Sequence, residues 1–188
     1  ERAETSGAHR VKGEFVELSR NTNDQLNISY RCKSSGEIKS AGCSLLIGAD
    51  GARSKILRQG LPKVKPAPCV FAYHEIIKSP DNDTDAFDAN RCDVFYQGRL
   101  SPDFYAWVFP HGETASVGVG SANKGFSLRG AVAEMRSELD LTRCETIRRE
   151  GAPIPLKPLK RWDNGADVIV AGDAAGMVAR LHATPGTR

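Results

Sequence analysis

The sequence has no Cys-x-x-Cys pair, no long apolar run, no stripe of one charge, no internal repeat and no low-complexity tract. Each absence excludes something. The five cysteines, at positions 32, 43, 69, 92 and 144, are odd in number and widely spaced. Neither a zinc site nor a disulfide framework is indicated, so no metal is expected, and inert thiols in a reducing cytosol are the simpler reading. No segment approaches the roughly 20 apolar residues of a membrane-spanning helix, and none reads as a secretory signal. Lys and Arg number 26 against 23 Asp and Glu, interspersed along the chain, so no basic stripe points to nucleic acid. The 188 residues suffice for one large domain or parts of two. They open on Glu1-Arg2-Ala3-Glu4, without a methionine and with mid-helix character, as an internal fragment would.

What is present is organised around two junctions of the same kind. Val168-Ile169-Val170 is a short β-branched run, too short for a helix, and reads as a strand buried on both faces. It runs through Ala171 into Gly172-Asp173, followed by Ala174-Ala175-Gly176-Met177-Val178-Ala179, whose small side chains predict a helix start. Glycine permits close backbone approach, an aspartate offers two acceptor oxygens to a sugar hydroxyl, and a helix N-terminus favours an anion. Asp173 has a plainer duty open to it, capping that helix. The second junction is Leu45-Leu46-Ile47-Gly48-Ala49-Asp50-Gly51-Ala52-Arg53-Ser54: again an apolar strand, glycines, an aspartate and a helix. Two such junctions, each at the carboxyl end of an apolar strand, favour a shared ligand at a sheet edge.

Taken in order, the pattern predicts a terminal helical turn closed by Gly7, then strands over 11–18, 26–32 and 38–43, the third able to continue towards Leu45. Polar turns at 21–24 and 34–37 separate them. A short helix capped by Ser54, with Ile56 and Leu57 on its apolar side, ends at Gly60 and Pro62. The proline-rich stretch that follows marks a domain boundary. Beyond it, antiparallel strands are expected over 70–77, 92–96, 105–109 and 115–119, with an acidic solvent loop over 80–90 and a hairpin turn over 111–114. Leu128, Val132, Met135 and Leu139 recur at helical spacing, the pattern of an amphipathic helix lying on the sheet. Residues 148–160 read as an extended, proline-rich return path.

Three sequence features then converge on a known family. Gly48-Ala49-Asp50-Gly51-Ala52-Arg53-Ser54 resembles the Asp-Gly motif of the FAD-dependent monooxygenases and reductases of the para-hydroxybenzoate hydroxylase structural group. Gly172-Asp173-Ala174-Ala175 resembles the Gly-Asp motif of the same group. Pro102-Asp103-Phe104-Tyr105-Ala106-Trp107-Val108-Phe109-Pro110 matches in full the Pro-x-x-Tyr-x-Trp-x-Phe-Pro signature of one branch, the geranylgeranyl reductases. Within that branch the likeness is greatest to the reductases of the geranylgeranyl group of chlorophyll or bacteriochlorophyll. It extends from the first residues to about Ala179.

The resemblance implies an α/β chain: part of an FAD/NAD(P)-binding Rossmann-like domain over 1–62 and 161–188, and an antiparallel-sheet α+β substrate domain over 63–160. It implies FAD as cofactor, held by Gly48, Asp50, Gly51, Arg53, Gly172, Asp173, Ala174 and Gly176, with NADPH as electron donor. Asp50 and Gly51 would lie near the pyrophosphate. Asp50 could stand there only by accepting backbone N–H bonds and holding the loop so that other donors, Arg53 among them, face the phosphates. Asp173 would bond a ribityl or ribose hydroxyl. Tyr105, Trp107 and Phe109 alternate and so share one strand face; they are either core or the apolar wall for a C20 isoprenoid, and the signature favours the wall. The implied substrate is geranylgeranyl diphosphate or geranylgeranylated (bacterio)chlorophyll, met in the cytoplasm or at the periphery of a photosynthetic membrane. Catalytic residues are not named by the resemblance. His74 and His111 read as ordinary strand and turn residues, and Gly118-Val119-Gly120-Ser121-Ala122-Asn123 lacks the third glycine of a dinucleotide fingerprint.

Two features depart from the family pattern. Nothing matches its opening strand, Gly-x-Gly-x-x-Gly and helix, and after Gly-Asp the expected Pro-x-x-Gly-x-Gly is replaced by Arg180-Leu181-His182-Ala183-Thr184-Pro185-Gly186-Thr187-Arg188. A one-base frame slip near Arg180 would produce that replacement. The alternatives carried forward are an aromatic hydroxylase of the same structural group, an archaeal-type isoprenoid lipid reductase, and a non-catalytic remnant.

Overall fold

The computed structural model describes residues 2–82 and 86–178. The tail from Arg180, and with it the proposed frame slip, lies outside the described residues. The chain divides into two compact units, one built from residues up to Ala67 together with Lys157–Met177, the other from Pro68–Leu156.

In the first unit a single helical turn, α1 (Arg2–Thr5), precedes an antiparallel meander of β1 (Gly13–Arg20), β2 (Leu26–Cys32) and β3 (Ile38–Gly42). The β1–β2 turn needs Asp24 at a positive φ of 59°, and the Asn21 side-chain oxygen holds it by accepting the N–H groups of Asn23 and Gln25. β3 does not continue into the next apolar run. β4 (Leu46–Gly48) belongs to a separate two-stranded sheet, paired in parallel with β10 (Val168–Val170). Between them in sequence lies α2 (Lys55–Gly60), which packs on this pair. A Cβ on Gly48 would stand 2.7 Å from Ile56 Cγ2, and one on Gly60 would stand 2.7 Å from Val168 Cγ1, so both glycines are needed for helix and strands to meet.

The expectation that 168–170 is buried on both faces is corrected. Val168 and Val170 point into the core with Ile56, Leu57 and Leu61, but Ile169 is 38% and its neighbour Ile47 59% exposed. The cause is the period-two alternation of any strand: α2 covers one face of this pair and no described element covers the other.

The second unit is one antiparallel sheet in the order β6-β7-β8-β5-β9, built from β5 (Cys69–Lys78), β6 (Asp93–Phe95), β7 (Ala106–His111), β8 (Thr114–Ser121) and β9 (Thr146–Pro155). The amphipathic helix is α3 (Leu128–Glu138), and Ser127 caps it by accepting the Gly130 N–H. Ala131, Val132 and Met135 pack on Ile77, Ala106, Val108, Val117 and Val119, which are the residues of one sheet face.

Two expectations fail here. The supposed solvent loop after β5 plants Phe87 in this core, at 1% exposure, so its polar sequence hides one anchoring side chain. The supposed return path over 148–160 is in its first half β9, paired along the whole of β5 from Cys69↔Pro155 to Ile77↔Thr146. An edge strand with mostly exposed side chains has no hydrophobic alternation to betray it; what forms it is the need of β5 for a second ladder partner.

Candidate functional site

The two motifs leave the β4–β10 pair at the same edge. The strands are parallel and in register, Val170 opposite Gly48, and the Ala171 N–H donates to Gly48 O at 2.9 Å. Both chains therefore exit together, one into Ala49-Asp50-Gly51 and the other into Gly172-Asp173. Ligand sites in parallel sheets form at this carboxyl edge because loops of neighbouring strands can jointly surround a molecule there.

The first loop is tightly tied. Asp50 Oδ1 accepts the Ser54 hydroxyl at 2.5 Å, while Oδ2 accepts the backbone N–H groups of Lys55 at 2.7 Å and Ile56 at 3.2 Å. Ser54 Oγ in turn accepts the Leu57 N–H at 2.8 Å. Asp50 and Ser54 thus share the capping of α2, satisfying donors that the first turn cannot pair internally. Arg53 is exposed one residue before the cap, outside the helix proper. Gly51 turns the chain at φ 79°, and the space a Cβ would enter there is open. Replacing Asp50 by Ala should cost about 1–2 kcal/mol of stability through the lost cap, read as a lower thermal midpoint, with Asp50→Asn recovering part of it.

The second loop differs from expectation. Among the described residues no α-helix starts after Gly172; a 3₁₀ turn, Gly172–Ala175, ends at once because Gly176 adopts φ 72°. A Cβ on Gly176 would lie 2.3 Å from the carbonyl oxygen of Lys157, so this glycine is required by space as well as by backbone angle. The helix-dipole reason for anion binding therefore does not apply to this turn. Gly172 stands at φ 59° with open space around its missing Cβ, so it serves the turn rather than a crowded approach. Ala174 and Ala175 are buried and anchor the turn, which Leu159 also ties by donating its N–H to Ala175 O. Asp173 is exposed, and among the described residues nothing donates to its carboxylate. It caps no helix.

In the second unit, the sheet face opposite α3 carries Tyr105, Trp107 and Phe109 in a row. Tyr105 and Trp107 ring centres are 5.9 Å apart, Trp107 and Phe109 6.0 Å, and Phe104 stacks on Tyr105 at 4.0 Å. Burial pushes the Tyr105 phenol up in pKa. The rings lie close against β8 because it offers glycines beneath them. A Cβ on Gly118 would fall 2.2 Å from Trp107 Cζ2, and one on Gly120 2.6 Å from Phe104 Cδ1. These are the glycines of the incomplete fingerprint, standing in antiparallel β8 as spacers for aromatic rings.

Residues that the sequence reading passed over join this face. Trp107 Nε1–H donates to Ser116 Oγ at 3.1 Å, Ser116 Oγ and His74 Nδ1 share a hydrogen bond at 2.9 Å, and His74 Nε2 stands 3.2 Å from a Glu150 oxygen. No local spacing connects residues 74, 107, 116 and 150. Only strand register could have found them.

No family model matches the chain. Among curated proteins, it is 49% identical over 179 residues to a geranylgeranyl diphosphate reductase of Rhodobacter capsulatus, covering 95% of this chain and 45% of the relative. It is 30% identical to the chloroplastic geranylgeranyl diphosphate reductase of Oryza sativa, over 95% of this chain and 40% of the relative. It is also 30% identical to a digeranylgeranylglycerophospholipid reductase of Methanocaldococcus jannaschii, over 73% of this chain and 36% of the relative. The chain spans less than half the length of these relatives. Among solved structures, a geranylgeranyl bacteriochlorophyll reductase-like protein of Thermoplasma acidophilum superposes at TM-score 0.72 with 23% identity, over 93% of this chain and 45% of that one. The flavin-dependent halogenase CmlS does so at 0.65 with 18% identity, over 93% of this chain and 33% of that one. The fold is that of the FAD-binding flavoenzymes.

Proposed function

The chain being a homologue of the geranylgeranyl reductases, we propose that it is the part of such an enzyme in which FAD-dependent saturation of a geranylgeranyl group is prepared. The group would be carried by diphosphate or by (bacterio)chlorophyll, as part of chlorophyll-type pigment synthesis, with NADPH as donor and with membrane contact only through the substrate. The observation that carries this reading is the shared edge of β4 and β10, where both flavin-family motifs emerge together.

The residues at that edge fit FAD. Gly51 and Gly172 leave open space at left-handed turns, and the Asp173 carboxylate, free of protein partners among the described residues, is available to a ribityl or ribose hydroxyl. Gly48, Ala174 and Gly176 set the backbone of the two loops, and Asp50, fully engaged with α2, holds the first loop so that Arg53 and backbone N–H groups can serve phosphate oxygens. Bound there, the flavin supplies the hydride for C=C reduction. In the other unit, Tyr105, Trp107 and Phe109 would form the apolar wall along which the isoprenoid lies, excluding water from the double bond.

The archaeal lipid reductase reading has its own support in the digeranylgeranylglycerophospholipid reductase relatives. Assays of the FAD-loaded full-length protein against geranylgeranyl diphosphate, geranylgeranyl bacteriochlorophyll and digeranylgeranylglycerophospholipid separate the readings. Reduction of either of the first two is the expected result. Turnover of the glycerophospholipid alone selects the lipid reductase, turnover of an aromatic ring selects the hydroxylase, and failure to hold flavin leaves the non-catalytic remnant.

A further inference from the structure

The side of the five-stranded sheet that carries α3 has an opening that neither the flavin motifs nor the aromatic row uses. On β5, Ile77 is sealed in the core beneath α3. Further along the same strand face, Tyr73 and Glu75 form the floor of an open cavity of about 510 Å³. Its walls are Arg129, Gly130 and Ala133 of α3 and Arg149 of β9, the edge strand, where Arg149 lies directly opposite Glu75. Gly130 and Ala133 are too small to fill the gap between helix and strand, and an arginine stands on either bank.

The carboxylate in this cavity is already saturated. Glu75 Oε1 accepts the Tyr73 hydroxyl at 2.8 Å and Arg149 Nε–H at 3.2 Å, and Oε2 accepts Arg136 and the Thr146 hydroxyl. Arg149 spends only Nε on that bond; its side chain is 56% exposed, and its terminal nitrogens have no hydrogen-bond partner among the described residues. Arg129 stands over the Tyr73 ring, 5.6 Å from its centre, and pairs with no carboxylate among the described residues. The two glutamates of α3 do not reach it, because Arg99 holds Glu134 at 2.5 Å and Glu138 at 2.6 Å. Glu150 follows Arg149 in sequence but belongs to the opposite face, with His74 and Arg148. Three guanidiniums thus meet one carboxylate, an excess of two positive charges beside an open cavity. Arg129 also lies in the first turn of α3, where the helix dipole disfavours a cation. An anion bound against it would offset that cost.

We propose that this cavity binds a phosphate monoester between Arg129 and Arg149. Charge and shape select the class. Such a group carries about −1.5 to −2 charges near neutral pH, which matches the excess, whereas a carboxylate or a phosphodiester would leave one positive charge uncompensated. Guanidinium forks present paired N–H groups that fit the oxygens of a tetrahedral anion. The cavity is open and larger than a phosphate group, which leaves room for the organic part of the ester. Every residue of the site belongs to the second unit, and nothing in it depends on the reductase reading.

The test is a titration of the full-length protein that carries this segment, with FAD present, using inorganic phosphate as the probe. Arginine Nε–H signals in ¹⁵N spectra report binding, and a thermal melt accompanies every variant. The Arg129 and Arg149 signals should move together on one binding curve, while that of Arg148, on the other face of β9, stays still. Arg129→Gln and Arg149→Gln should each weaken phosphate binding at least ~10-fold, the low end for a hydrogen bond to a charged group. Arg129→Lys, which keeps the charge but loses the fork, should fall between Arg129→Gln and the wild type. Arg148→Gln should leave the affinity unchanged. Arg129→Gln should melt close to the wild type, since it only removes a cation from the first turn of α3, and so decides the matter even where Arg149→Gln, which loses a bond to Glu75, folds poorly. Signals indifferent to phosphate, or an affinity unchanged in Arg129→Gln, overturn the proposal. An equal response to acetate also overturns it, by marking an unselective cationic surface. So does a response confined to vesicles of phosphatidylglycerol in phosphatidylcholine, which marks a membrane-facing patch instead.

Discussion

Arg136→Ala lowers the stability of the sheet-and-helix unit by about 3–5 kcal/mol, the cost of breaking a buried ion pair by removing one partner. Arg136 reaches from the last turn of α3 to Glu75 in the middle of β5, and both side chains are about nine-tenths buried. The same guanidinium donates to the Thr146 hydroxyl, to Leu141 O and to Cys144 O, so it closes the connection from α3 into β9. Removing it leaves the Glu75 carboxylate to Tyr73, Thr146 and the half-exposed Arg149, and takes the guanidinium donors from the Leu141 and Cys144 carbonyls. Chemical denaturation of the variant should show the loss as a lower midpoint with an unchanged slope. Glu75→Ala, which strands the guanidinium instead, should cost a similar amount, and the double variant should cost less than the sum.

The same pair sets an acid limit. Burial by itself would push the Glu75 carboxyl up, but hydrogen bonds from Tyr73, Arg136 and Arg149 outweigh it and hold its pKa below the ordinary carboxylate value. A carboxyl whose folded pKa is depressed contributes its full stabilisation above the unfolded value of about 4.3, and loses it as pH falls through the folded value. Thermal midpoints of the wild type should therefore be flat in Glu75's contribution near neutrality and decline below about pH 4. Arg136→Ala should flatten that decline.

If Asp173 bonds the flavin as proposed, Asp173→Ala should weaken flavin binding by roughly 10–100-fold, the worth of one hydrogen bond to a charged group at about 1.5–3 kcal/mol, and should leave stability within about 0.5 kcal/mol. This separation follows from the structure. Asp173 is exposed and caps nothing, so the fold does not depend on its carboxylate, whereas Asp50 on the neighbouring loop is consumed by α2. Flavin fluorescence titration of the full-length protein, with a thermal melt alongside, reads both quantities. Equal flavin affinity in variant and wild type would remove Asp173 from the site.

Local sequence determined those parts of the molecule whose cause is local. Ser54, Ile56, Leu57 and Gly60 predict α2 because a cap, an apolar side and a stop all lie within seven consecutive positions. Leu128, Val132 and Met135 predict α3 through helical spacing, and the Pro102–Pro110 motif is legible as a string. Tertiary structure decided whatever depends on partners distant in the chain. β9 exists because β5 has a free edge, not because residues 146–155 alternate. Ile47 and Ile169 are exposed because one side of β4 and β10 lacks a described cover, which their apolar character cannot reveal. The turn after Asp173 stops as 3₁₀ because Gly176 must pass the Lys157 carbonyl, nineteen positions back. His74, Trp107, Ser116 and Glu150 become neighbours through strand register alone. Side chains on one sheet face meet according to which strands pair and in what alignment, and that alignment is set by the whole unit folding at once.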